Sequence, residues 1–345
     1  MPLANCQFKD TSPQLPSDKT STNSSEAITV YFSCPAQDIE RFSALAEIFH
    51  EQNPSIHIEI IPLDDVRDNA TNQDIDRRVM SRVDTAYYWL TYEGVVDGSF
   101  LDLRPLIEED KNFDTNDFFS NTLSAFEYEG GIWALPSDIR VSYLLYDKQI
   151  FDEAEVAYPT TGWTKQDFLS AAQKTTSENA SSPQYGFLDT GLARSAFIQF
   201  LTNTEASGTS SLIEDEIIED VRWYVDLALL HNVMPIILRT GEGFELASEL
   251  QNQKRIAMWQ GWWLDYEQSK EDRGISLFPT EEGSRALGQM YGYVISSGTR
   301  HPEESWKWLR FLSYQTTSDG YSLPPRRSVA EASGYWQQFD SQDID

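Results

Sequence analysis

The feature that most constrains this chain is a pair of short apolar segments separated by a proline, within residues 129–168. Gly130-Gly131 predicts a tight turn, Ile132-Trp133 begins one strand, and residues 141–146 form the next. Pro136 lies between them and has no N–H to donate, so it interrupts a regular central ladder. Two strands in line across such a break predict a segment that leaves one lobe and enters another. A hinge of this kind is a common place for a ligand site.

The helix that follows this hinge has a clear start signal. A turn at Pro159 and Gly162 precedes Thr164, which is expected to be the N-cap, with Asp167 three residues further on. A hydroxyl at the N-cap and a carboxylate three residues later can satisfy each other's backbone N–H groups. The pattern predicts a helix that begins immediately after Thr164.

The length and net charge of the chain limit the classes of protein to which it can belong. A chain of 345 residues exceeds what one hydrophobic core usually supports, so two lobes are expected. The 55 acidic and 26 basic residues give a net charge of −29, which repels phosphate backbones and anionic lipid heads. We therefore expect no nucleic-acid partner, although solubility alone also explains such a charge. No run of 18 or more apolar residues occurs, so we expect no membrane-spanning helix.

The order of the predicted elements indicates the α/β class. Residues 28–32 form an apolar strand, Asp38 opens a helix with apolar residues at helical spacing, and residues 56–60 alternate as a strand. This β-α-β opening predicts a right-handed crossover and parallel pairing. Residues 83–86 form a further strand, and residues 288–296 form one that returns to the first lobe.

The two cysteines predict neither a disulfide framework nor a zinc site, because neither has a CxxC partner. Residues 1–26 have few side chains that could be buried, and we expect them to form a flexible tether. Within this tether, Leu3-Ala4-Asn5-Cys6 resembles a bacterial lipobox, so Cys6 is a candidate for lipidation. Cys34 ends an apolar strand and is expected to be a small buried side chain.

The motifs of several enzyme classes are missing from the sequence. None of the four histidines belongs to HExxH, and GxSxG, GxGxxG and GxxxxGK[ST] do not occur. A pair of carboxylates as in a glycosidase stays open, since any two of the 55 acidic residues could face each other, but no pattern selects a pair. We therefore expect a protein that is not an enzyme and that needs no cofactor.

Several short motifs, in fixed order, carry a family resemblance. They are Gly131-x-x-x-Leu135-Pro136, Leu145-Tyr146-Asp147-Lys148, Ile150-Phe151-Asp152-x-Ala154, Pro159-x-Thr161-x-Trp163-Thr164-x-x-Asp167-Phe168 and His301-Pro302-Glu303-x-x-Trp306. In this order and spacing they resemble the family 1 extracellular solute-binding proteins, the carbohydrate-binding subunits of ABC importers, which are similar to maltose-binding protein. The resemblance covers roughly residues 27–330.

This resemblance implies the fold class and the lobes. The expected fold is the α/β, two-lobed periplasmic-binding-protein fold, type II-like, in which each lobe is a sheet flanked by helices and hinge strands join the lobes. We expect the N-terminal lobe to comprise residues 27–136 plus 291–323. The C-terminal lobe would comprise residues 137–290 plus 324–345.

The resemblance also implies a function. An extracytoplasmic substrate-binding protein would capture a mono- or oligosaccharide in the interlobe cleft by hinge closure and deliver it to the permease subunits of an ABC transporter. It would act as a monomer in the periplasm or at the cell surface, with Cys6 as a possible lipid anchor. The alternative is a ligand-sensing or interaction module of the same fold that is not coupled to transport.

A sugar site needs planar donors and acceptors for hydroxyls and flat aromatic surfaces for the apolar ring face. Arg140 falls where similar proteins have a polar ligand contact, and Trp263 matches the family's Gly-x-Trp tryptophan, which stacks on sugar. The tryptophans could instead be core or rim residues, the aromatic residues after residue 86 could pack the strand end, and Asp138 could simply pair with Arg140. The candidate ligand-binding residues are Asp38, Tyr88, Trp89, Asp138, Arg140, Arg194, Trp259, Trp262, Trp263 and Tyr291.

Overall fold

Strands and helices both occur from the first to the last part of the chain that the structure describes. The computed structural model describes residues 27–67, 74–177, 182–189, 200, 214–236, 241–280, 283–285, 287–316 and 322–338. The predicted tether, with Cys6, and Arg194 lie outside the described residues.

The described strands and helices have the following bounds. The strands are β1 (Ile28–Cys34), β2 (Ile56–Pro62), β3 (Thr85–Tyr88), β4 (Glu127–Tyr128), β5 (Gly131–Ile132), β6 (Leu135–Asp147), β7 (Tyr185–Leu188), β8 (Ile256–Gly261), β9 (Arg273–Ser276), β10 (Phe278–Thr280), β11 (Gly283–Arg285) and β12 (Leu287–Ile295). The helices are α1 (Ile39–Gln52), α2 (Leu63–Arg67), α3 (Ile75–Met80), α4 (Tyr92–Val96), α5 (Arg104–Glu109), α6 (Lys148–Glu153), α7 (Lys165–Thr175), α8 (Glu214–Leu229), α9 (Gly241–Asn252), α10 (Trp263–Glu267), α11 (Pro302–Leu312) and α12 (Arg327–Ala332). Thr164 caps α7, and Thr164 and Asp167 form the predicted capping box.

Within the described residues, eight strands form one sheet in the order β2-β1-β3-β12-β6-β8-β7, and β9 also pairs with β6. Strand β1 is parallel to both β2 and β3, with Ile28 opposite Ile56. This arrangement confirms the predicted β-α-β opening, in which α1 is the crossover helix. Strand β12 is antiparallel to β3 and to β6, so it brings the chain back between two earlier strands.

Strand β6 belongs to both halves of the sheet. Its first part pairs with β12, from Leu135 to Ser142, and its second part pairs with β8 and β9, from Tyr143 to Asp147. The sequence predicted two strands separated at Pro136, but in the structure β5 ends at Ile132, before this residue, and β6 runs without a break from Leu135 through Pro136 to Asp147. Its register against β12 shifts beside Pro136, so the missing N–H falls in a local irregularity and the strand continues past it.

Each half of the sheet has its own hydrophobic cores. Consecutive residues of a strand point to opposite faces, so Tyr87 and Tyr88 of β3 enter different clusters. One cluster lies under α1 and α11 and includes Phe32, Phe42, Tyr293 and Trp308, and the opposite one includes Val79, Phe100, Phe126 and Val294. Around β7 and β8 lie two further clusters, one with Phe168, Phe187, Phe200 and Met258, and one with Leu145, Leu188, Trp259 and Trp263. Two pairs of cores on one sheet are what the predicted two-lobed α/β class requires.

The segment of residues 322–328 returns to the middle of the molecule. Leu323 and Ile139 of β6 exchange both backbone hydrogen bonds, at 3.0 and 2.9 Å. Immediately afterwards the carbonyl of Pro325 accepts a hydrogen bond from the Phe119 N–H at 2.9 Å. The sequence assigned residues 324–345 to the C-terminal lobe, whereas the contacts of residues 325–328 are with residues 114–119 of the predicted N-terminal lobe.

Arg326 holds this segment in place. It is fully buried, with its guanidinium 3.2 Å from the carboxylate of Asp117. Three aromatic rings surround the same guanidinium, and the distances to the ring centroids are 4.6 Å for Phe113, 4.1 Å for Phe118 and 4.0 Å for Tyr314. A buried charge needs such partners because it has lost its hydration.

We expect Arg326→Ala to lower the free energy of unfolding by about 3–5 kcal/mol, because it leaves the Asp117 carboxylate without its cation and empties the aromatic cage. Arg327→Ala is the control, since Arg327 is exposed and donates to the carbonyls of Asn116 and Phe118. Urea unfolding of both variants measures the difference. Equal losses would contradict the assigned role of Arg326.

Candidate ligand-binding site

A buried carboxylate lies on β6 close to the place where the strand passes from one half of the sheet to the other. Asp138 is only 3% exposed, and the hydroxyl of Tyr87 donates to its Oδ2 at 2.7 Å. Arg140 is two residues further along the same face of the strand, and its Nε lies 3.6 Å from Asp138 Oδ1. The predicted pairing of Asp138 with Arg140 is therefore present. It leaves the Arg140 side chain partly open to solvent.

Aromatic rings surround this ion pair. The guanidinium carbon of Arg140 lies 5.2 Å from the centroid of the Tyr291 ring. Tyr291 is opposite Asp138 in the ladder between β12 and β6, which explains why the two meet. Its ring lies 5.3 Å from that of Tyr87 and 5.2 Å from that of Trp89, which it meets edge to face at 90°. Because Trp89, Arg140 and Tyr291 are half-buried, a ligand can reach them.

Behind this cluster lies Tyr293, which is buried on the same face of β12. Burial, opposed by Arg41 and reinforced by the charges of Asp138 and Asp38, raises the pKa of Tyr293 to about 12. Asp38, which is half-buried and directly precedes α1, is one of the two carboxylates that raise this pKa. Burial and Asp138 also raise the pKa of Tyr87 well above its ordinary value, so its hydroxyl stays protonated and keeps donating at physiological pH.

The other half of the sheet brings Gln260 and Trp262 toward the same region. The Nε2 of buried Gln260 donates to Ser142 Oγ of β6 at 2.8 Å. Gly261 pairs with Tyr143, so Trp262 follows at the end of β8 nearest to Arg140, because β8 is antiparallel to β6. Trp262 is half-buried, and its backbone N–H donates to Asp265 at 2.9 Å.

Three of the predicted ligand contacts are buried in the hydrophobic cores, namely Tyr88, Trp259 and Trp263. Tyr88 points to the face opposite Tyr87, where its hydroxyl donates to Asp76 at 2.7 Å. Trp259 is buried farther along β8, with the guanidinium of Arg273 5.0 Å from the centroid of its ring. We do not include Tyr88 and Trp259 in the proposed site.

Trp263 is 6% exposed and packs against Tyr143 and Tyr266. The family resemblance predicted that its ring stacks on sugar. In the structure Trp263 begins α10 and its ring belongs to the cluster of Leu145, Leu188 and Trp259. The physical reason is that α10 packs against β6, which brings this ring onto Tyr143 of that strand. We therefore do not include Trp263 in the proposed site.

Some residues near the cluster were missed by sequence reasoning. Tyr87 could have been found, because the alternation of a strand puts it on the same face as Trp89, whereas Tyr88 is on the other. No local sequence pattern pointed to Arg41, Tyr293 or Gln260, because the residues that they contact are far away in the chain. Arg41 donates to the carbonyl of Thr316 at 2.7 Å, a contact 275 positions apart.

The chemistry of the cluster suits a neutral, hydroxyl-rich ligand. A planar guanidinium can donate two parallel hydrogen bonds, and indole and phenol rings offer flat apolar surfaces. In the part of the chain that the structure describes, no three His, Cys, Asp or Glu side chains are placed to hold a metal ion. Among the same residues, no helix has the length and apolar character needed to cross a membrane.

The burial of Trp263 leads to a stability prediction. We expect Trp263→Ala to lower the free energy of unfolding by about 3–5 kcal/mol, because it leaves a cavity between Tyr143 and Tyr266. Trp262→Ala is the matched control one residue away, and its loss should be clearly smaller because that indole is half-exposed. Denaturant unfolding of both ligand-free variants provides the measurement. A stable Trp263→Ala protein would contradict the core assignment.

Known proteins share this fold and these sequence features. The sequence profile of the family described as bacterial extracellular solute-binding protein matches residues 36–313. Comparison with curated protein sequences found no significant match. Among solved structures, the sugar-binding protein MalE of Xanthomonas citri is similar with a TM-score of 0.66 and 17% sequence identity, covering 92% of this chain and 84% of that one.

Two further solved structures are similar over the same extent, each covering 92% of this chain and 84% of the other. The ABC substrate-binding protein of Listeria monocytogenes in complex with cycloalternan has a TM-score of 0.63 and 18% identity. The GacH receptor of Streptomyces glaucescens, solved unliganded and with acarbose, has a TM-score of 0.62 and 16% identity. These likenesses confirm the two-lobed α/β fold class. With the profile match over most of its length, the chain belongs to the bacterial extracellular solute-binding protein family.

Proposed function

We propose that this protein is the substrate-binding protein of an ABC transporter and that it captures a mono- or oligosaccharide between its lobes. The observation that carries the proposal is the cluster of Tyr87, Trp89, Asp138, Arg140 and Tyr291. Two of its members, Asp138 and Arg140, lie on the strand shared by both halves of the sheet. The similar structures support it, since they include proteins bound to cycloalternan, acarbose and mannobiose. Their roles in ABC transport favour transport over a sensing module.

Each residue of the cluster has a separate task in this proposal. Arg140 donates hydrogen bonds to sugar hydroxyls, and Asp138 holds the guanidinium in place from below. Trp89 and Tyr291 offer their rings to the apolar face of the sugar, and Trp262 faces the ligand from the other lobe. The mechanism is binding and hinge closure, without a covalent step and without a cofactor.

The lobes meet along segments that can bend. We propose residues 27–136 plus 291–323 as the N-terminal lobe and residues 137–290 plus 324–345 as the C-terminal lobe. The contacts of residues 325–328 with residues 114–119 favour moving the former to the N-terminal lobe. Strands β6 and β12 and the pairing of Leu323 with Ile139 would then be the connections at which closure occurs.

The cellular setting follows from the family. The protein functions outside the cytoplasm as an extracellular solute-binding protein. We propose that it acts as a monomer, with the lobes docking onto permease subunits after closure, and that Cys6 carries the lipid anchor. No nucleic acid takes part, given the net charge of −29.

A thermal-shift screen with mono- and oligosaccharides tests the proposed function. A sugar present at 100 times its Kd should stabilise the protein by about 2.7 kcal/mol, because only the folded state binds it. Amino acids and a dicarboxylate of similar size serve as control ligands. Stabilisation by these and by none of the sugars would overturn carbohydrate capture and leave the fold assignment intact.

For a sugar found in this way, we expect Arg140→Ala to weaken binding by about 2 kcal/mol or more, the scale of a central binding residue. Arg104→Ala is the matched control, because its side chain is 34% exposed compared with 38% for Arg140, and it pairs with Glu127 away from the cluster. Calorimetric titration measures both variants. An unchanged Kd in Arg140→Ala would remove Arg140 from the site.

The same sugar should make the molecule more compact. Since β6 and β12 both run between the halves of the sheet, we expect closure around the ligand to reduce the radius of gyration in small-angle scattering. Arg140→Ala at the same sugar concentration is the control and should stay open. A radius that does not change at saturation would contradict hinge closure.

A further inference from the structure

Trp89 lies in a short connection between β3 and α4, and the residues on both sides of it bond to one buried carboxylate. Asp76 of α3 is 5% exposed. The hydroxyl of Tyr88 donates to its Oδ1 at 2.7 Å, and the hydroxyl of Thr91 donates to its Oδ2. A single side chain thus ties down both ends of the connection that carries the indole.

The fit around Asp76 is tight. Thr91 Oγ1 also accepts a hydrogen bond from the Gly94 N–H at 3.0 Å and so caps α4. A Cβ at Gly94 would lie 2.5 Å from Asp76 Oδ2, so only glycine allows the helix to approach the carboxylate. Asp76, Thr91 and Gly94 therefore form a closed network with little freedom for the backbone between residues 88 and 91.

On the opposite face of β3, a tyrosine hydroxyl also donates to a buried carboxylate. Tyr87 donates to buried Asp138 at 2.7 Å, while Tyr88 donates to buried Asp76 at the same distance. Two consecutive tyrosines thus anchor the strand end on both faces. Trp89 follows directly and meets the Tyr291 ring edge to face at 5.2 Å. The hydrogen bonds of Tyr87, Tyr88 and Thr91 thus fix the backbone that carries the indole.

We propose that Asp76 is a positioning residue of the ligand site, which through Tyr88 and Thr91 presets the Trp89 ring against Tyr291. The proposal rests on the proposed function, since it assigns the preset ring to the binding of a sugar face. A ring that is already in place costs less conformational entropy when the ligand binds. Asp76 itself never touches the ligand, because it is buried on the other face of the sheet.

If Asp76 had a purely structural role, replacing it would also lower the free energy of unfolding. A stability measurement therefore cannot distinguish a structural role from a positioning role. Only the positioning role predicts that the effect on affinity passes through Trp89. Thr91→Val tests this well, because it removes the hydroxyl and keeps the branched shape. Thr91→Ser retains the hydroxyl and should rescue binding. Thr299→Val is the matched control, since its hydroxyl donates to Asp84 at 2.5 Å in the same half of the sheet.

The experiment is a double-mutant cycle read by calorimetric titration with the sugar found in the screen. We expect Thr91→Val to weaken affinity about 5- to 10-fold, and Thr91→Ser and Thr299→Val to bind like the parent. In the Trp89→Ala background, Thr91→Val should cause no further loss. A parental Kd in Thr91→Val, a full additional loss in the Trp89→Ala background, or an equal loss in Thr299→Val would each overturn the positioning role.

A readout without ligand separates this proposal from the proposed function. The near-ultraviolet circular dichroism of the parent minus that of Trp89→Ala gives the contribution of the fixed indole. The same subtraction in the Thr91→Val background should give a clearly smaller signal. An unchanged signal would overturn the positioning role even where sugar binds. A parent protein that binds no sugar, with the signal reduced as expected, would overturn the proposed function and the sugar-binding use of Trp89.

Discussion

The backbone hydrogen bonds of β6 are the interaction on which the rest of the structure depends. They join the strand to β12 over its first part and to β8 and β9 over its second part. Each half of the sheet then buries its own pair of cores, so the two lobes are stable bodies connected through shared backbone. A relative movement of the lobes would bend β6, β12 or the residues that pair with them, which lie next to the proposed ligand site.

The site gains its rigidity from charges that the fold has removed from water. Asp138 is buried and needs the Tyr87 hydroxyl and the Arg140 guanidinium, just as Asp76 needs Tyr88 and Thr91. The hydrogen bonds and the ion pair that these carboxylates require orient the neighbouring groups that remain open to solvent. In the proposed site, the half-exposed arginine and rings are held by these contacts before a ligand arrives, which would reduce the cost of binding.

Relatives with 16–18% identity share this fold because the fold depends on patterns of burial more than on particular side chains. Alternation in β3 and β12 and helical spacing in α1 and α11 can be kept with different apolar residues. Polar side chains at the strand ends can differ between proteins while the arrangement of strands and helices is retained. The same fold can therefore place different ligand-contacting side chains in the same cleft.

The sequence by itself determined two elements whose partners are nearby in the chain, the β-α-β opening and the capping box of Thr164. It left open the pairing of Asp138 with Arg140, which the structure contains, and the hinge around Pro136 stays a prediction. It also listed Tyr291 and Arg140 among the candidate ligand-binding residues, and the structure brings the two together. Tertiary structure alone decided that β6 continues through Pro136, that Trp263 is core while Trp262 is at the edge, and that residues 325–328 return to residues 114–119. These outcomes depend on the register shift between β6 and β12, on the packing of α10 against β6 and on contacts between segments more than 200 positions apart. No local pattern encodes such contacts, because their energies exist only once distant segments have packed together.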